Sequence, residues 1–167
     1  LFTSIMYKIM EVFQPDRGFL VMKGEESFHI EVERNSISQE AQLSNTILKK
    51  TIHEGISVLS ANAMLDDRFS GGMSIVSQQI KSVMSVPLES SNQILGAIYV
   101  DSIGYSNCFQ KTHLDLLAAI GKQAGIAIER TMLFAHYMEK EKLKQSLEIA
   151  QNIQKSLFPS KTPENFP

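Results

Sequence analysis

SVMSVPLESSNQILGAIYVDS, residues 82–102, reads as a β-hairpin. Val83 to Leu88 and Ile94 to Val100 are two short apolar runs, joined by the tight turn Ser90-Ser91-Asn92. The second run is apolar at successive positions, so both of its faces must be covered, which places it near the middle of a sheet. Gly96 inside that run marks a point where another backbone approaches closely. Working outward, Gly18 to Lys23 repeats the pattern, with Phe19 and Val21 on one face and Leu20 and Met22 on the other. It is followed by Lys23-Gly24-Glu25-Glu26 as a turn. Phe28, Ile30 and Val32 then alternate with His29, Glu31 and Glu33, the signature of a half-exposed partner strand. Ile56 to Ser60 adds a short strand, Arg34 to Leu43 reads as a polar loop, and Ala61 to Gly72 as an irregular crossing before a short helix at 73–80.

Helical spacing brackets these strands. Ile5, Ile9, Val12 and Phe13 recur at three and four residues over 2–14, and Pro15 ends the run by disfavouring helix at Gln14. Ser44 is placed to cap a helix carrying Ile47, Leu48 and Ile52, which Gly55 closes. Leu114, Leu117, Gly121, Ala124 and Ile128 form one packed stripe. Gly121 and Gly125 each sacrifice about 1 kcal/mol of helix propensity, which fits close approach to the sheet or to a partner helix. The helical pattern runs on without a break to Leu157, where Phe158-Pro159 stops it. A helix of about 48 residues would be roughly 70 Å long, so its second half must pack on something else. The expected class is α+β, a central antiparallel sheet flanked by helices with a long C-terminal helix.

Composition narrows the function. The formal charge of -2 lacks the basic face that nucleic acid requires. Lys140, Lys142 and Lys144 alternate with Glu139 and Glu141, as on a solvated helix. Cys108 is the single cysteine, which excludes an internal disulfide and a cysteine-based zinc site. No apolar run approaches the roughly 20 residues of a membrane span and no signal peptide is visible, so a cytoplasmic protein with no membrane or nucleic-acid partner is expected. Leu1 in place of methionine and the end at Pro167 read as cuts within a longer protein.

Several stretches resemble one family. RFSGGMSIVSQQIKSVMSVPL (68–88), LGAIYVDS (95–102) and FQKTHLDLLAAIGKQAGIAIERTMLF (109–134) are similar to the second half of GAF domains, and PDRGFLVM (15–22) to their first strand. The resemblance covers residues 1–135 and implies a GAF-like sensory domain. A second begins where it stops. LEIAQNIQKSLFPSKTPENFP (147–167) resembles the entry segment of the SpoIIE/RsbU-type branch of PPM serine phosphatases. It implies a helical coiled-coil linker at 136–158 and the start of a phosphatase domain at 159–167. Within 1–167 no catalysis and no cofactor are expected; the Mn or Mg of such phosphatases belongs to aspartate motifs further along the chain. The implied substrate is a phosphoserine protein such as an anti-sigma-factor antagonist.

By similarity, GAF domains hold small molecules between the sheet and the crossing segments. That region maps to Ser60, Asn62, Asp66, Arg68, Phe69, Ser74, Ile75, Gln78 and Met84, where free amides and directional donors suit a small polar ligand. The alternative is a polar loop over a filled core, giving a dimerisation module without a ligand. The cyclic-nucleotide pattern Asn-Lys-Phe-Asp-Glu is only partly met by Asn107, Phe109 and Asp115, because Cys108 stands in place of lysine. Bilin attachment normally has histidine directly after cysteine, and here Phe109 follows. Lys111 and His113 lie near Cys108, but a structural thiol is the simpler reading. His29, His53, His113 and His136 lack metal-ligand spacing, so no metal is expected. Asp66-Asp67 has no visible acid/base partner. A free-standing methionine sulfoxide reductase would need more than one thiol, and a nucleotide cyclase output would be marked by motifs beyond residue 167.

The last helix carries a mechanical pattern. Leu133, His136, Lys140, Leu143, Leu147, Ala150, Gln154 and Leu157 keep a three-four spacing. Half of these positions bury little apolar area, so the seam is marginal and its packing shifts for a few kcal/mol. Ile149 and Ile153 widen the stripe, as suits docking on a catalytic domain. The hypothesis is a parallel homodimer, entering and leaving helices side by side, relaying a small-molecule signal to the phosphatase.

Overall fold

The computed structural model describes residues 1–25, 27–37, 42–63, 66, 79–91, 93–106 and 108–157. The elements run α1 (Phe2–Phe13), β1 (Arg17–Lys23), β2 (Phe28–Asn35), α2 (Asn45–His53), β3 (Val58–Ser60), β4 (Ser82–Glu89), β5 (Ile94–Ser102) and α3 (Lys111–Leu157). The expected short helix at 73–80 falls mostly outside the described residues. The strands form one sheet in the order β2-β1-β5-β4-β3, with every neighbouring pair antiparallel. This is the expected α+β class, with the strand of Ile94–Ser102 in the middle.

Two cores sandwich the sheet, because alternate side chains of each strand point to opposite faces. On one face Leu20, Met22, Met84, Val86, Ile98 and Val100 pack with Met6 and Ile9 of α1 and with Leu114, Leu117, Ala124 and Ile128 of α3. On the other, Phe19, Val21, Val83, Ala97 and Tyr99 pack with Ile47, Leu48 and Ile52 of α2. Thr51 of α2 also donates its hydroxyl to Ser85 of β4 across 2.9 Å, both side chains fully buried.

Local stops fall where the sequence places them. Gln14 ends α1 in the left-handed region (φ 46°, ψ 48°), its N–H bonded to the Met10 carbonyl, and Pro15 follows. The Ser44 hydroxyl caps α2 by accepting from Ile47 N–H, and Gly55 leaves it at φ +69°. Three expectations need correction here. β2 runs on through Arg34 to Asn35, where the polar loop was expected to begin. The third strand begins at Val58 rather than Ile56, whose side chain is exposed. Ile30, expected to face inward, is 46% exposed. It lies on the edge strand, beside a break in register between Leu20 and Val21, and among the described residues β2 is paired along one side only.

Gly121 and Gly125 press α3 onto the sheet. A Cβ on Gly125 would lie 2.3 Å from the Glu89 carbonyl oxygen, and one on Gly121 would lie 2.8 Å from that of Pro87. The partner that their cost in helix propensity implies is therefore the end of β4.

The chain divides into two units, Leu1–Glu129 and Arg130–Pro167. The first holds the sheet and both cores. In the second, residues 130–157 are helical, and Leu133, Phe134, Tyr137, Leu143, Leu147, Ile149, Ile153 and Leu157 are all exposed.

Candidate functional site

Of the nine residues singled out for a ligand, four are described. Ser60 closes β3 with its side chain buried, and its hydroxyl donates to the Asp66 carboxylate at 2.7 Å. Asn62 and Asp66 are half-buried. Behind them Ser82 donates its hydroxyl to the Ala61 carbonyl (2.9 Å), and Ala63 N–H bonds the Lys81 carbonyl. The start of the crossing segment is thus fastened to the start of β4. Arg68, Phe69, Ser74, Ile75 and Gln78 lie outside the described residues.

Met84 does not belong with this group. Its side chain is fully buried in the core formed with α1 and α3, whereas Val83 packs on the α2 side. A strand's period of two puts adjacent side chains on opposite faces, so position 84 cannot share a site with the α2-side residues. It is removed from the candidate set.

Among the described residues the buried charged side chains, Arg17 and Asp101, lie on the α2 side, at the end of the sheet where α1 delivers the chain into β1. Arg17 and Asp101, register partners across β1 and β5, are both fully buried. They form a two-pronged pair, Nε to Oδ1 at 2.8 Å and Nη2 to Oδ2 at 2.7 Å. Burial pushes the Asp101 carboxyl upward and the Arg17 hydrogen bonds oppose it. For Arg17, burial disfavours the cation, but the bonds to Asp101 hold it charged. Beside them the Tyr99 hydroxyl is buried with no hydrogen-bond partner among the described residues. Burial, reinforced by the charge of Asp101, drives its titration well above the usual tyrosine range.

Asp16 adds a clasp. One carboxylate oxygen accepts from the Ser102 hydroxyl (2.8 Å), Ile103 N–H (2.8 Å) and Gly104 N–H (3.0 Å). Its own N–H bonds the Asp101 carbonyl. Lys81 joins from β4, its N–H bonding the Ser102 carbonyl and its ammonium the Gly104 carbonyl. The α1–β1 joint, the exit of β5 and the start of β4 are thereby tied together. Partial burial works to raise the Asp16 pKa, but the bonds from Gly104, Ser102 and Ile103 and the charge of Arg17 bring it below the ordinary value.

A carboxylate whose folded pKa is depressed stabilises the fold above its unfolded pKa, and that contribution fades as pH falls through the folded value. Asp16→Asn is therefore expected to be less stable than the parent at neutral pH, with the gap closing below about pH 4. Chemical denaturation at a series of pH values reads the gap, and one that stayed constant down to about pH 2.5 would contradict the assignment. Amide exchange at Ile103 and Gly104 should accelerate in the same variant.

The remaining sequence candidates are dispersed. Cys108 is half-buried and packs against the α1/α3 core. Lys111 pairs with Asp115 at 2.8 Å, and His113 sits edge-on to Phe13. Asn107 and Asp67 lie outside the described residues. Among the described residues no cluster of His, Cys, Asp or Glu is arranged to hold a metal. None of the described helices is long and apolar enough to cross a membrane.

The structure also shows features that no motif marked. A polar cleft of about 460 Å³ opens between Lys23, His53, Glu89, Ser90, Ser91 and Gln93. An apolar groove of about 540 Å³ runs between α1 and the first part of α3, lined by Leu1, Ile5, Ala119, Ile120 and Ala124. The Arg17–Asp101 pair had a faint signal: a charged residue directly flanks each of the two fully apolar strands.

The fold is similar to that of solved structures. These include the photoproduct state of GAF3 from Slr1393 of Synechocystis sp. PCC6803 (TM-score 0.69, 16% identity, covering 81% of this chain and 96% of that one). Another is the blue-light absorbing form of the Thermosynechococcus elongatus PixJ GAF domain (0.64, 10%, 82% and 88%). A third is the type II free methionine-R-sulfoxide reductase from Thermoplasma acidophilum (0.58, 13%, 74% and 85%). At such identities the likeness is one of fold. No curated protein matches the chain in sequence. The GAF domain family does match it, over residues 1–128, and the chain belongs to that family.

Proposed function

We propose that this GAF domain is a signal-sensing module that controls a PPM-type serine phosphatase through a dimeric helical linker. The observation that carries the reading is the state of residues 130–157. This helix leaves Leu133, Leu143, Leu147 and Leu157 each more than half exposed, and all four keep the spacing of a coiled-coil seam. Exposed apolar surface in such a row marks an interaction face. The apolar groove between α1 and α3 gives the sheet domain a face suited to the same second copy. The phosphatase assignment rests on the resemblance of residues 147–167 to the entry segment of that family.

The signal in this reading is a small polar molecule held on the α2 side near Ser60, Asn62 and Asp66, together with Arg68, Phe69, Ser74, Ile75 and Gln78. The bonded path Ala63–Lys81–Ser102–Asp16 supports it, since it ties the start of the crossing segment to the joint below α1.

Size-exclusion chromatography with light scattering is expected to give a dimer at tens of micromolar; a clean monomer would remove the main support. Thermal-shift screening against cyclic nucleotides and metabolites tests the sensing step, because a ligand at 100 times its dissociation constant adds about 2.7 kcal/mol. A screen without any shift would favour a ligand-free dimerisation module. Sequencing the gene beyond the codon for Pro167 tests the output: paired-metal aspartates are expected, and cyclase motifs would overturn the phosphatase.

A further inference from the structure

Residues 130–157 carry a seam whose leucines do not choose a direction. Leu133, Lys140, Leu147 and Gln154 occupy one heptad position, and His136, Leu143, Ala150 and Leu157 the other. The pattern is palindromic about Gln145. In a parallel pair each leucine meets its own copy. In an antiparallel pair Leu133 meets Leu157 and Leu143 meets Leu147. Apolar burial is therefore similar either way, and orientation must come from the charged residues.

The flanking positions differ between the two arrangements. Glu139 precedes the seam residue Lys140 and Lys144 follows Leu143, so they occupy the two flanks of the seam. In a parallel pair the flank before one heptad faces the opposite flank in the next heptad of the other helix. Glu139 then meets Lys144 of the second copy, twice by symmetry, and also lies beside that copy's Lys140, the one cation in the seam. An antiparallel pair instead sets Glu139 against Ile153 and Lys144 against Lys144 of the second copy. That arrangement loses the attraction and adds a like-charge contact.

We infer that Glu139 fixes these helices as a parallel, in-register pair by neutralising Lys140 and Lys144 of a second copy. The inference rests on the dimeric reading above and names the residue that would decide its geometry. Lys140 costs apolar burial in such a seam, and a nearby carboxylate makes it tolerable only in the parallel register. A polar residue that sets register at a cost in stability is an established use of such positions.

The test uses the whole 167-residue chain with Cys108→Ser and the single substitution His136→Cys or Gln154→Cys, under mild oxidation. The parallel pair predicts that each single-cysteine protein cross-links to itself. An antiparallel pair predicts cross-linking only when the two proteins are mixed, joining 136 to 154; that result overturns this inference but leaves the dimer standing. A monomer of the parent chain by light scattering sinks both. Glu139→Lys is expected to weaken the parent dimer about tenfold or more, and Glu139→Lys with Lys144→Glu to recover most of that loss. An unchanged dimer in Glu139→Lys would also overturn the inference.

Discussion

Asp101→Asn is expected to destabilise the sheet domain by about 3–5 kcal/mol, the usual cost of stranding one member of a buried ion pair. Arg17 is fully buried, and its Nε and Nη2 make charge-assisted bonds to Asp101 of 2.8 and 2.7 Å. An amide at position 101 keeps the shape but removes the negative charge. Arginine cannot escape by deprotonating, because a guanidinium is intrinsically too basic to lose its proton in a protein. Urea denaturation measures the loss, and less than about 1 kcal/mol would show that water or another group already shields Arg17. The double substitution Arg17→Met with Asp101→Leu should cost much less than the sum of the single changes. Two apolar residues can replace such an ion pair at little cost, so the double variant separates the pair's net worth from the penalty of stranding one charge.

Gly125→Ala should also destabilise, although alanine is the better helix former. The change gains up to about 1 kcal/mol of helix propensity. Against that, the new methyl would lie 2.3 Å from the Glu89 carbonyl oxygen and 2.6 Å from its carbon. Both are backbone atoms that no rotamer change can move, so α3 or the end of β4 must retreat. Overpacking of this kind costs about 1–3 kcal/mol, and the net expected result is a lower denaturation midpoint. Gly121→Ala makes the matched control, because its nearest contacts are longer, 2.8 Å to Pro87 O and 3.0 Å to a Val86 methyl. Equal or greater stability of Gly125→Ala would show that the helix is free to shift. In the sensing reading such freedom would matter, since this helix continues toward the seam residues.

Much of this fold was legible before any coordinates. Runs apolar on both faces, Gly18 to Lys23 and Ile94 to Val100, became the second and third strands of a five-stranded sheet. Ser44, Gly55 and Pro15 mark boundaries through local chemistry that acts within four residues, and such signals survive in a bare sequence. The two glycines of α3 foretold a close approach, and coordinates supplied its partner. Met84 was misplaced because a strand apolar at successive positions does not announce which residue faces which layer. Ile30 was misplaced because alternation shows that one face differs from the other, while cover for that face depends on what lies beside an edge strand.

The buried polar cluster at the joint of α1 and β1 was harder to read, for a related reason. Arg17 and Asp101 are 84 positions apart, and Asp16 reaches Ser102, Ile103 and Gly104 from just as far along the chain. No periodicity connects such residues; only the antiparallel register of β1 and β5 brings them together.

By itself, the sequence determined the order and type of the described elements, the cap residues, the central position of two strands and the heptad spacing of 133–157. These follow from local backbone preference and from the period of apolar residues, which every short window of chain carries. Tertiary structure alone decided which face each strand residue meets, which carboxylate neutralises Arg17, and that the Tyr99 hydroxyl is buried beside them. Pairings between distant segments arise only when strand register and layer packing close at once, and no single segment encodes that.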